Sequence, residues 1–245
     1  EGGTTHGGPW GRTRGTVERA TYRTPDYMLS SASGSWPVGN RAHVWQATLG
    51  PDAIVFTNHP ANANEDGACI PGFWAGNGVL PHAAQCKGAL VAAYRLPEDD
   101  WMGFTHAHWP IYAFDEQTTR DGWAFARSGS GYVALTAAQG LELVTRGPGA
   151  YRELRSYGLH NVWLCHMGRA ALDGEFSEFQ DRILALKPDF EGLSVRFATL
   201  RGESLAFGWE GPITRNGEEE LITGFKHYEN PYWMAELPSE KMEIL

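Results

Sequence analysis

Short alternating runs separated by turn residues constrain this chain more than any other feature. Gly122-Trp123-Ala124-Phe125-Ala126-Arg127 and Gly131-Tyr132-Val133-Ala134-Leu135-Thr136 flank Ser128-Gly129-Ser130, the pattern of a tight hairpin. Successive side chains of a strand point to opposite faces, so Tyr132, Ala134 and Thr136 share one face while Val133 and Leu135 share the other. His43 to Leu49 and Ala53 to Thr57 bracket the breaker Gly50-Pro51-Asp52 and predict a second hairpin. Leu193, Val195 and Phe197 alternate in the same way, as do Leu205, Phe207 and Trp209 after the turn at Arg201-Gly202. Asn216-Gly217 predicts a type I′ turn, which needs two positive φ angles. Further strands are expected at Val79 to Leu80, Ala89 to Leu96 and Phe104 to Phe114. With 30 Gly, 14 Pro and 12% aromatics in 245 residues, the expected class is all-β. The architecture expected is a large antiparallel β-sandwich (a super-sandwich) with one short helix.

That helix is expected from about Gly174 to Ala185. Asp173 would cap it, Phe176, Phe179, Ile183 and Leu186 would form its apolar stripe, and Pro188 would end it. Residues 1–15 are polar and glycine-rich and read as an irregular N-terminal arm. Residues 16–245 read as one antiparallel β-sandwich domain, the C-terminal part of a larger protein, with a polar surface loop at 61–72. The chain opens on Glu1 with no leader, so either a signal was removed or the chain is one piece of something longer. No internal repeat favours a propeller or a solenoid.

Composition excludes several classes of partner. A net charge of −9 repels phosphate backbones, so no nucleic acid is expected. No apolar run is long enough for a membrane span. Cys69, Cys86 and Cys165 allow at most one disulfide and show no C-x-x-C spacing; Cys165, in Val162-Trp163-Leu164-Cys165, reads as a buried thiol. Nucleotide-loop, dinucleotide, zincin and hydrolase-elbow motifs are absent.

Chemistry-bearing residues gather in a few segments. In Phe104-Thr105-His106-Ala107-His108-Trp109 a strand would project His106 and His108 from one face, a spacing suited to a metal or a shared anionic ligand, though weakly specific. His59, in Thr57-Asn58-His59-Pro60, sits at a strand end, where a neutral imidazole can move protons. Tyr112 offers a phenol. His166 reads as a satisfied core residue, and His227 as exposed. Arg146, Arg152 and Arg155 surround Tyr151 and Tyr157; the arginines either bind a uronate or pair with Glu142 and Glu153 on a solvated surface. Phe73 to His82, with Trp74 and Asn77, reads as a loop offering an aromatic platform and hydrogen bonds to a sugar.

Two stretches carry a resemblance to a known family. The run from His43 to Pro60, and Asp121 to Arg127 with the strand Gly131 to Leu135, resemble the C-terminal region of bacterial heparinase II/III-like proteins. The resemblance spans most of residues 20–240 and rests on strand texture. It implies a large antiparallel sandwich that follows an α/α toroid, which this chain lacks. It also implies β-elimination of uronate-containing polysaccharides, with a Tyr and a His moving protons, and Asn, Arg or His neutralising the carboxylate. Some members hold a structural zinc. By residue type and location, His59, His106 and Tyr112 are then candidate catalytic groups. Asn58, Trp74, Asn77, Trp109 and Arg155 are candidate sugar contacts, and His106 with His108 a candidate metal pair for zinc or calcium. The expected partner is an acidic polysaccharide or oligosaccharide, with a helical toroid domain or second chain completing the cleft, in the periplasm or outside the cell. The rival expectations are a non-catalytic carbohydrate-binding or structural module of an extracellular assembly, and a glycoside hydrolase accessory domain.

Overall fold

The computed structural model describes residues 4–5, 13–14, 18–33, 44–60, 74, 79–211, 213–219, 227–230, 233–236 and 242–244. Strands β1 (Thr4–Thr5) and β2 (Thr13–Arg14) pair with each other. β3 (Glu18–Arg23), β4 (Met28–Ser33), β5 (Trp45–Thr48) and β6 (Ile54–Asn58) then run as a meander. The Gly50-Pro51-Asp52 breaker turns β5 into β6, with Ala47 opposite Val55, as the sequence predicts. β7 (His82–Cys86) and β8 (Ala89–Arg95) start a second sheet, and β9 (Phe104–His108) returns to pair with β6. β10 (Glu116–Arg120), β11 (Trp123–Ser128) and β12 (Gly131–Ala137) extend the second sheet. β13 (Glu142–Leu143) and β14 (Glu153–Tyr157) complete the first beyond β9. The ten-residue β15 (His160–Arg169) inserts between β12 and β8 and joins the two halves of the second sheet.

The first sheet thus has seven strands, in the order β13-β14-β9-β6-β5-β4-β3, and the second six, in the order β10-β11-β12-β15-β8-β7. Between them lies a core of Trp45, Val55, Trp109, Val133, Leu135 and Trp163, among others. Two buried threonines of the first sheet tie the layers together. Thr57 Oγ1 accepts from Trp45 Nε1 at 2.7 Å and meets the Tyr94 hydroxyl at 2.9 Å. Thr105 Oγ1 accepts from Trp163 Nε1 at 2.8 Å.

The opposite face of the second sheet is buried too, under a third layer. Helix α1 (Ala170–Asp173) and helix α2 (Phe176–Leu186) lead into β16 (Asp189–Glu191), β17 (Ser194–Ala198), β18 (Ser204–Gly208), β19 (Thr214–Arg215) and β20 (Glu218–Glu219). Phe176, Phe179, Ile183, Val195, Phe197, Leu205 and Phe207 pack on Phe125, Tyr132, Ala134 and Leu164. This doubly covered sheet explains why β12 is buried at every position instead of alternating. Gly168 admits the Phe179 ring where a Cβ would strike it. β21 (His227–Asn230), β22 (Trp233–Glu236) and β23 (Met242–Ile244) form a further antiparallel sheet. The architecture is the all-β antiparallel sandwich expected, with α2 its single long helix among the described residues. No described helix is long and apolar enough to cross a membrane.

Some expectations need correction. Asp173 does not cap α2; the Glu175 N–H donates to Glu178 Oε2 at 2.8 Å there instead. Asp173 is a fully buried carboxylate that accepts from Arg169 N, Arg182 Nη1 and Arg201 Nη2, each at 2.9 Å, and ties the third layer to β15. The strand expected to reach Phe114 stops at His108, because Pro110 supplies no N–H and a 3-10 turn, Ile111–Ala113, follows. Val79 and Leu80 form no strand; β7 begins at His82, past Pro81. Asn216 and Gly217 have φ of 54° and 85°, the positive pair the turn requires. Cys165 is buried as expected, whereas Cys69, Asn77 and the 61–72 loop lie outside the described residues, as does the His227 side chain.

Candidate functional site on the outer face of the first sheet

Strand alternation sorts the candidate residues before any chemistry is considered. On β6, β9 and β14 the inward positions Val55, Ala107 and Leu154 enter the core between the sheets. Their neighbours therefore project from the outer face. Register then aligns them in two rows: Phe56, His108 and Glu153 in one, and Asn58, His106 and Arg155 in the next.

His106 is fully buried on this face, and its Nδ1 lies 3.1 Å from Glu153 Oε1. Arg155 grips the same carboxylate through Nε at 2.7 Å and Nη2 at 3.3 Å, and its guanidinium carbon sits 4.6 Å from the Phe104 ring centre. Burial alone would raise the Glu153 carboxyl. The hydrogen bonds from His106 and Arg155 outweigh burial and hold it below the ordinary carboxylate value. An ionised Glu153 accepts the Nδ1–H of His106, which fixes the tautomer of the ring. The pairing of arginine with Glu153 foreseen from sequence is present, but Glu153 is 0% exposed where a solvated surface was expected. Arg152 donates instead to the Pro148 carbonyl.

Trp74 lies flat on His106, with ring centres 4.3 Å apart and planes 9° apart, and meets His108 edge-on at 5.0 Å. His108 stacks on Phe56 at 5.2 Å and contacts the Ile54 carbonyl through Nδ1 at 2.7 Å. Both imidazoles thus share one face, as H-x-H predicts. Among the described residues no group of three His, Cys, Asp or Glu converges on the pair, and Nδ1 of each ring is engaged, by Glu153 for His106 and by the Ile54 carbonyl for His108.

Asn58 neighbours His106 across the ladder and is 4% exposed. Neither atom of its side-chain amide has a hydrogen-bond partner among the described residues. Buried amides without partners are rare and costly, which marks this position.

The other candidates fall elsewhere. His59 follows the inward parity at the end of β6, where Nε2 lies 2.9 Å from Asp100 Oδ1, out of line for a hydrogen bond. Burial pushes its pKa below the ordinary value, with Asp100 opposing. Trp109 is fully buried in the core between the sheets and cannot meet a sugar. Tyr112 stands 72% exposed on the 3-10 turn after β9. His166 is the core residue expected, buried against Trp123 and Phe197, although its Nε2 has no hydrogen-bond partner among the described residues. Burial alone lowers its pKa to about 4.

Sequence reasoning missed the Glu153 bond to His106, although Glu153-Leu154-Arg155 presents the same spacing of two as His106-Ala107-His108. It also missed Trp101, 76% exposed on a turn that Asp100 pins by accepting the Gly103 N–H at 2.6 Å. Against known proteins, no family model matches this chain, and no curated protein matches it.

Proposed function

We propose that this chain is the β-sandwich part of a polysaccharide lyase-like enzyme that acts on uronate-containing glycans by β-elimination. One observation carries the reading: an imidazole oriented by an ionised carboxylate, with an unpartnered amide beside it and an indole over it. With Nδ1 held by Glu153, proton transfer runs through Nε2 of His106. The base takes the C5 proton of a uronate, and the C5–H electron pair becomes the C4=C5 double bond. The C4–O bond breaks, and the imidazolium returns the proton to the leaving oxygen. Asn58 donates its amide N–H to the uronate carboxylate, which lowers the cost of charge developing at C5. Trp74 covers the ring, so a sugar entering the site displaces the indole and stacks in its place.

The test is absorbance of the unsaturated product on a panel of uronate polymers. His106→Ala should lower the rate by about 10² to 10⁴, and Asn58→Ala should lower it with little effect on folding. Near-wild-type rates in His106→Ala would remove this residue from the chemistry. A second reading, glycan binding without turnover, is favoured by the 0% exposure of His106 and predicts glycan retention with neither absorbance nor new reducing ends. New reducing ends without absorbance would indicate hydrolysis.

A further inference from the structure

Tyr151 has a φ of 61°, the only aromatic residue among those described with a positive φ. A bulky side chain in this left-handed region is strained, and such strain persists only where the surroundings enforce it. Here the Tyr151 N–H donates to the Val144 carbonyl at 2.8 Å, and the Tyr151 carbonyl accepts from the Ile111 N–H at 3.1 Å. The phenol is half exposed, and the Ile111 bond joins its turn to the one that carries the exposed Tyr112.

Charge at this edge runs against the rest of the protein. The net charge is −9, yet residues 144–152 contain Arg146 and Arg152 and no acid. Arg152 is occupied by the Pro148 carbonyl, while Arg146 is exposed and carries no ion pair among the described residues. Asp115, just past the turn that carries Tyr112, is engaged by Arg127 at 3.4 Å. This turn also touches the candidate site, since a side chain at Gly149 would collide with the Glu153 carboxylate.

We propose that Tyr151, Tyr112 and Arg146 form a rim subsite that holds one uronate unit of an acidic glycan beside the His106 floor. The phenol rings stack on the apolar face of the sugar, and the Arg146 fork takes its carboxylate. This rests on the glycan reading above and adds where a neighbouring sugar is gripped.

Calorimetric titration of the full chain with oligogalacturonate and alginate fragments, and with neutral cello-oligosaccharides, tests it. Tyr151→Gly relieves the backbone strain, because glycine adopts this φ at no steric cost. It should melt at the same or a higher temperature than wild type and still bind the acidic fragments about tenfold more weakly. Arg146→Ala should lose about tenfold for acidic fragments only, with the difference shrinking as salt rises. Wild-type binding by both variants would overturn the rim subsite while leaving the glycan reading in place. Equal losses for acidic and neutral sugars in Arg146→Ala would overturn the carboxylate contact. A wild-type chain that binds neither acidic set would overturn both readings.

Discussion

Two buried carboxylates, Asp173 and Glu153, solve the same electrostatic problem with different partners. Asp173 is held by two guanidiniums and a backbone N–H between β15, α2 and the 199–203 turn. Glu153 is held by one guanidinium and one imidazole on the outer face of the first sheet. Arginine does not surrender its proton at any pH a protein meets, so the Asp173 cluster can only clamp. Histidine exchanges its proton near neutrality, so the Glu153 cluster can take part in chemistry. A buried ion pair is therefore no sign of function until its cation is known.

Asp173→Ala should have the largest effect on stability. Removing the acid strands two guanidiniums, but both are more than a third exposed and rehydrate, so a loss of roughly 3 kcal/mol is expected in urea denaturation. A loss below about 1 kcal/mol would show that the cluster does not clamp the third layer. His166 supplies the case of an imidazole with no acid. Its pKa in the folded chain is about 4, below the unfolded value of about 6.5. The unfolded state therefore takes up the proton first. Stability is fully present above pH about 6.5 and falls as the pH drops towards 4, by roughly 3 kcal/mol in all. His166→Leu should flatten that slope, and an unchanged slope would place the acid sensitivity elsewhere. Glu153→Ala should cost less, roughly 2 kcal/mol, because one guanidinium loses its carboxylate where Asp173→Ala deprives two. Smallest is Asn58→Ala, expected within about 1 kcal/mol of wild type because the amide has no partner to lose. A cost of several kcal/mol would mean that the amide is structural.

Local pairing and the two-sheet sandwich were legible in the sequence, and the third layer was not. Breakers at Gly50-Pro51-Asp52 and Asn216-Gly217, and the period-two runs around them, carry their geometry in a few adjacent residues. The third layer was seen only as parts: the stripe of Phe176, Phe179 and Ile183 says that α2 docks, not on what. Phe104 to Phe114 misled because the apolar residues Trp109, Ile111 and Phe114 fit a strand by composition while Pro110 forbids one. Of the candidate site, the His106 and His108 spacing was readable, since alternation is local. The Glu153 contact crosses 47 residues, and burial had to be known before its meaning changed from surface pairing to orientation of an imidazole. Trp109 erred for the same reason: a tryptophan looks identical in sequence whether it faces sugar or core.

The position of β15 has a consequence for synthesis. It is the last strand of the second sheet to be made, yet it fills the gap between β8 and β12. Until residue 169 leaves the ribosome, the β7-β8 hairpin and the three-stranded β10-β11-β12 unit present unpaired inner edges to whatever else is nearby. Long-range pairing of this kind is slow, and open edges invite strands from other chains. Nascent chains stalled before His160 should aggregate, and those released after Arg169 should close.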